Sequence, residues 1–253
     1  MTATFIHADL AVPHGFFTRH GGVSEGPFAS LNCSLSGHDD RARVLENRAR
    51  AARALGAAPE MLVGLTQVHG PAVVRVLAPW RPGDGPRADA AVTDRAGIAL
   101  GIVTADCAPV LFADPAAGVI GAAHAGWRGA VDGVIEATVA AMVAIGATRT
   151  GIAAAVGPCI GQGSYEVAAD LRDRVLARDP TNVRFFSAAA RPERWQFDLA
   201  GYCAARLAAA GIGMVCVTGH DTLANAENFF SHRRRTLAEG GPIGHQISVI
   251  TLG

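Results

Sequence analysis

The residues best able to do chemistry lie in one stretch, 104–128, which reads TADCAPVLFADPAAGVIGAAHAGWR. Cys107 and His124 flank what the pattern predicts as a strand–turn–strand. His69 repeats the arrangement, because it follows the apolar run 62–66 as Cys107 follows 98–103. One thiolate and two imidazoles are a natural zinc set, and three protein ligands leave a fourth position open for water or substrate. Three chemistries compete for these residues. Zinc would lower the pKa of a bound water to about 7 or polarise an oxyanion. Without an obligatory metal, Cys107 would be a thiolate nucleophile activated by His124. Copper redox chemistry is the weakest of the three, because nine histidines include no His-x-His pair.

Elements that must position these groups can be read from periodicity. Residues 98–103 form an apolar run ending at Thr104-Ala105-Asp106-Cys107, so Cys107 is expected just past a buried strand. Residues 110–113 and 118–123 read as strands about the Asp114-Pro115 turn, with His124 directly after the second. Further strands are predicted over 16–18, 62–66, 73–76, 152–156, 214–217 and 247–252. Asp39-Asp40 caps a helix over 41–55, its apolar side carrying Val44, Leu45, Ala49, Ala52 and Leu55. On that spacing Arg48 reads as a surface arginine. An amphipathic helix is expected over 131–145, with Gly146 ending it, and two more over 168–178 and 199–210. Strands and helices interleave throughout, which predicts an α/β fold in mixed layers, with residues 1–253 as one domain.

Composition narrows the function classes. Half the residues are hydrophobic and 17% are charged, as in a compact globular protein. The net charge is zero, which gives no electrostatic reason to expect nucleic acid or an anionic membrane as partner. All 22 basic residues are arginine. The lack of lysine excludes a Walker-A lysine, a Schiff base and an SxxK nucleophile. Arg233-Arg234-Arg235 is the one dense charge cluster, a solvated face or an anion site. Five widely spaced cysteines without a CxxC, and no secretory signal in MTATFIHADL, predict a cytoplasmic protein.

Six ordered motifs carry a resemblance along nearly the whole chain. They are Gln67-Val68-His69-Gly70, Ala88-Asp89-Ala90, Thr104-Ala105-Asp106-Cys107-Ala108-Pro109, His124-Ala125-Gly126-Trp127-Arg128-Gly129, Gly157-Pro158-Cys159-Ile160-Gly161 and Phe229-Phe230-Ser231. In these the chain resembles the YfiH laccase-domain family, whose members are labelled polyphenol oxidase, purine nucleoside phosphorylase or peptidoglycan editing factor. The resemblance implies an α/β domain similar in its Cys/His core to the cysteine-hydrolase-like domain of a deamidating bacterial toxin. It also implies zinc on His69, Cys107 and His124, with copper as the alternative. The implied activities are phosphorolysis of adenosine, inosine, guanosine and methylthioadenosine, and deamination of adenosine. A Cys107/His124 amidohydrolase editing a cell-wall precursor is the main rival.

Phosphorolysis needs an anion subsite, which in a chain without lysine falls to arginines: Arg48 and Arg128, then Arg233 and Arg234. Asp106, beside a ligand, is a candidate general acid/base or a partner orienting it. Gln67 and Asp89 are candidate contacts to base or ribose. Trp127 could stack a purine, though a packed core aromatic is the better reading, and Cys159 reads as a buried structural thiol. Near its end the chain departs from the resemblance: His232 stands for a tyrosine, Arg235 for an aspartate and His245 for an arginine.

Overall fold

A computed structural model describes residues 2–253. Two mixed sheets dominate it. One has five strands in the order Phe5–Ile6, His14–Phe17, Gln246–Thr251, Ala99–Thr104 and Leu62–Val63, with only the last pair parallel. The other has six, in the order Met214–Val217, Ala153–Val156, Ala108–Asp114, Val119–Ala125, Ala90–Thr93 and Val73–Arg75. It is parallel at each outer pair and antiparallel between. A small antiparallel sheet joins Glu166–Val167, Trp195–Phe197 and Phe186–Ala188.

Side-chain alternation along the strands explains the layering. Leu111 and Ala113 face the five-stranded sheet and pack with Phe16, Leu100, Ile102 and Ile250. Val110 and Phe112, one residue out of phase, face the helices Val134–Ala144 and Leu199–Ala209. On the far side, Phe17, Ile247 and Val249 pack with Ala51 and Ala52 of the helix Arg41–Ala54. The result is a helix–sheet–sheet–helix sandwich, which bears out the mixed α/β expectation. Central strands buried on both faces read as continuous apolar runs, as the sequence does.

Local expectations hold with four corrections. The helix expected over 131–145 is two helices, Trp127–Asp132 and Val134–Ala144, because Gly133 adopts a left-handed φ of 99° between them. The strand expected over 62–66 pairs only at Leu62–Val63, and Thr66 makes an isolated bridge to Arg87. His124 lies inside the strand Val119–Ala125, because the ladder continues through Pro109↔His124 and Ala108↔Ala125. The buried stripe of the first helix is Val44, Asn47, Arg48, Ala51 and Ala52, turned away from the Leu45–Ala49 side. Arg48 is therefore buried, at 6% exposure, and is not a surface arginine. Asp40 caps that helix as expected, accepting from the Ala42 and Arg43 amides. Among the described residues no helix is long and apolar enough to cross a membrane.

Candidate functional site

The site forms where the chain crosses between the two large sheets. Residues 67–70 belong to one crossing, from Leu62–Val63 in the five-stranded sheet to Val73–Arg75 in the six-stranded one. Residues 105–107 are a second, from Ala99–Thr104 to Ala108–Asp114. These crossings deliver His69 and Cys107, and the strand paired with Ala108–Asp114 delivers His124. His69 and Asp106 take left-handed backbone conformations, with φ of 61° and 84°. Non-glycine residues rarely do so, and such strain gathers at functional sites.

The three predicted ligands come together. Their donor atoms all lie within 4.8 Å of one another. Cys107 Sγ is 3.9 Å from His69 Nε2, and the two imidazoles meet edge to face at 4.7 Å. Gly126 makes room for them, since a Cβ there would lie 2.9 Å from Cys107 Sγ and 3.0 Å from His69 Cδ2. A sulfur and two imidazole nitrogens around a space kept clear by a glycine fit a bound metal, and these three residues could hold one.

Asp89 does not face the cavity as a base or ribose contact would. It is fully buried and works as a clamp. His124 donates Nδ1–H to Asp89 Oδ1 at 2.8 Å, which leaves Nε2 for the triplet. The same carboxylate accepts the backbone amides of Val68, His69 and Gly70. One side chain therefore orients His124 and shapes the turn carrying His69. Burial alone would raise its pKa, but the His124 N–H and the backbone amides outweigh that and hold it below the usual carboxylate range. Asp106 likewise serves as a joint: Thr222 and Ser231 hydroxyls and the Arg233 amide all donate to it. Its oxygens are engaged, which fits positioning of Cys107 better than proton transfer.

Charges inside the triplet are coupled. Burial pushes the Cys107 thiol up, but the imidazoles, His124 before His69, bring it down to about 6. Burial disfavours a charged His124, yet the Cys107 sulfur and the Asp89 carboxylate draw its pKa up to about 9. Without a metal each of the two groups favours the charged form of the other.

The triplet opens into a cavity of about 560 Å³, a size suited to a small organic ligand. Gln67 reaches its wall, but its amide is taken up by the backbone of Val103, accepting from N–H and donating to the carbonyl. Arg128 is exposed and lies over Trp127, whose ring also carries Arg174. Trp127 is thus already stacked, in keeping with a packing role. Cys159 is buried with its thiol pushed well up, as a structural cysteine would be. The arginine cluster is not a solvated face. Arg233 donates to Glu166 O, and Arg234 staples the carbonyls of Phe229, Thr222 and Leu223.

Sequence reasoning missed several lining groups: Tyr165, Ser34, Ser36 and the cavity faces of His232 and His245. It also missed the clamp role of Asp89, for which a signal existed. A carboxylate set between alanines in an apolar approach to a strand must find internal donors once buried. No local pattern marks Ser34 or Tyr165.

With this geometry in place the class follows. Residues 13–253 match the family model described as multi-copper polyphenol oxidoreductase laccase, and the chain belongs to that family. Among its relatives, a Deinococcus radiodurans protein named purine nucleoside phosphorylase is 44% identical over 246 residues, spanning 96% of this chain and 90% of its own. A Streptomyces griseus protein of the same description is 42% identical over 230 residues, 87% of this chain and 89% of its own. The crystal structure of a Bacillus licheniformis protein named YfiH superposes with a TM-score of 0.91 at 30% identity, covering 100% of this chain and 97% of that one.

Proposed function

We propose that the protein is a purine nucleoside phosphorylase that also deaminates adenosine, with zinc held by His69, Cys107 and His124. The observation that carries this reading is the ligand triplet opening into a cavity walled by Arg48, Arg128 and Arg233. The names of the relatives supply the substrate class. When bound, zinc supplies Lewis acidity and an acidified water. The rest falls to the chain. Asp89 holds His124 in one tautomer, and Asp106 fixes the turn that presents Cys107. Arginines hold phosphate against the ribose. In phosphorolysis a phosphate oxygen bonds to C1′ while the C1′–N9 bond breaks, and the base leaves with the bonding pair and takes up a proton. In deamination water adds at C6 and ammonia departs.

Metal content and adenosine turnover, with and without phosphate, test this. The expected result is about one zinc per chain, phosphate-dependent adenine release and phosphate-independent inosine formation, all lost in Cys107→Ser. Metal-free protein that turns over adenosine as fast as the loaded form would sink it, and copper in place of zinc would redirect it towards phenol oxidation.

One observation favours a second reading. Cys107, His124 and Asp89 also form a thiolate–imidazole–carboxylate series, the arrangement of a cysteine amidohydrolase, for which the family resemblance suggests a cell-wall precursor as substrate. Under that reading alkylation abolishes amide hydrolysis by metal-free protein, whereas chelators do not.

A further inference from the structure

Between the edge strand Met214–Val217 and the helix His232–Leu237 the chain runs as a strap of turns, residues 218–231. Two parts of this strap meet on one carboxylate. Thr222 Oγ1 donates to Asp106 Oδ1 at 2.6 Å, and Ser231 Oγ donates to Asp106 Oδ2 at 3.0 Å, which also accepts the Arg233 amide. Asp106 immediately precedes Cys107 and holds a left-handed φ of 84°. A non-glycine residue keeps such a conformation only where its surroundings over-determine it. Here the strap holds the carboxylate, and the Asp106 carbonyl accepts the Ile160 amide at 3.0 Å.

Arg234 touches both of these parts. Its amide donates to Ser231 Oγ at 3.2 Å. Its guanidinium donates to the Thr222 and Leu223 carbonyls at 2.7 and 2.8 Å, and to the Phe229 carbonyl at 3.0 Å. A planar fork with donors in fixed directions can join three carbonyls in this way, and an ammonium on a flexible stem matches it poorly. The Arg234 side chain does not line the cavity, although Arg233 beside it does, so it is not placed to meet an anion there. Arg19 braces the middle of the same strap. Its amide donates to the Asn228 carbonyl and its Nη1 to the Ala226 carbonyl, with the guanidinium 4.5 Å over the Phe230 ring. Arg234, by contrast, joins the two places from which hydroxyls reach Asp106.

We propose that Arg234 is a positioning residue for Cys107. It closes the strap so that Thr222 and Ser231 keep Asp106 in its turn, and that turn sets the Cys107 sulfur against the two imidazoles. This role requires only that Cys107 serve the site, as metal ligand or as nucleophile. It therefore rests on the reading of Cys107 given above and not on a nucleoside substrate.

Zinc affinity, measured by competition with a chelator, and the absorption spectrum of cobalt-loaded protein test this on the full chain. The variants are Arg234→Met, Arg234→Lys, Thr222→Val and the double variant Arg234→Met with Thr222→Val. The sulfur-to-cobalt charge-transfer band reports the placement of the Cys107 sulfur, which a loss of stability alone does not shift. Arg234→Met should bind zinc roughly 10- to 100-fold more weakly and displace the band, with part of the loss restored in Arg234→Lys. Because both residues act through Asp106, the losses in the double variant should fall well short of multiplying. A lower melting temperature in Arg234→Met, with zinc affinity and band unchanged, would make the residue structural and overturn the proposal. Losses that multiply in full would do the same. If Arg234→Met does not fold, Thr222→Val decides, and an unchanged affinity and band there overturn it. If wild type binds neither zinc nor cobalt, the zinc reading fails and alkylation of Cys107, followed by peptide mapping, carries the test. A rate several-fold slower in Arg234→Met than in wild type supports the positioning role, and equal rates overturn it. Wild type that binds zinc but is inert to nucleosides would refute the phosphorylase reading and leave the role of Arg234 standing.

Discussion

Asp89 governs more of the site than any ligand does, since one carboxylate accepts His124 Nδ1–H and the amides of residues 68–70. Replacing it with asparagine puts an N–H2 where an acceptor is required, so His124 and the His69 turn both lose their reference. Asp89→Asn is expected to weaken metal binding by about 10- to 100-fold, the usual effect of losing a partner that orients a ligand. Competition with a chelator of known affinity measures this, and an unchanged dissociation constant would show that the clamp is dispensable. Cys107 supports a second prediction. In metal-stripped protein its thiolate fraction rises as pH climbs through about 6. Alkylation should therefore reach half its plateau rate near pH 6, against roughly 8.5 for an ordinary thiol. A midpoint at the ordinary value would mean that the imidazoles do not stabilise the thiolate.

At the scale of elements, the site depends on how closely the two sheets meet at their crossing end. Gly157, just after the strand Ala153–Val156, touches the five-stranded sheet: a Cβ there would lie 2.1 Å from Phe16 Cδ1. Phe16 is buried at 1% exposure between the sheets and cannot swing into solvent. Gly157→Ala should thus separate the layers locally and cost about 1–3 kcal/mol, the range for overpacking a core. Urea unfolding reads this as a lowered midpoint with an unchanged slope. A variant as stable as wild type would show that the interface yields freely.

For the whole molecule, the path of the chain matters more than any one contact. It enters the five-stranded sheet, crosses to the six-stranded one at residues 67–70, returns for Ala99–Thr104, crosses again at 105–107, and comes back for Gln246–Thr251. Neither sheet is a continuous stretch of sequence, and the core between them draws on both. The small sheet is tied in through Val167 and Phe197, which join the helix-side core. We therefore propose that residues 1–253 unfold as one unit. Calorimetry should show a single transition whose calorimetric and van't Hoff enthalpies agree; two resolved transitions would mean two domains.

What the sequence determined by itself is what short-range geometry controls. The apolar run 98–103 marked the strand ahead of Cys107, because strand pattern is written locally, whereas the run 62–66 ahead of His69 pairs only at Leu62–Val63. Asp40 marked a helix start, since a cap bonds to amides two and three residues on. The absence of lysine and the donor types at 69, 107 and 124 bounded the chemistry before any fold was known. Tertiary structure decided everything that depends on which strands pair. The helix 41–54 has two candidate inward faces, and only docking on the five-stranded sheet turned Asn47 and Arg48 inside. Asp89 became a clamp because the turn at 68–70 closes over it, 19 to 21 residues away. Arg48 and His245 are far apart in the sequence, yet the Arg48 side chain and the His245 carbonyl both bond to the backbone of Cys33. Local pattern carries no information about such meetings, because they are set by the crossings between sheets and the burial those crossings enforce.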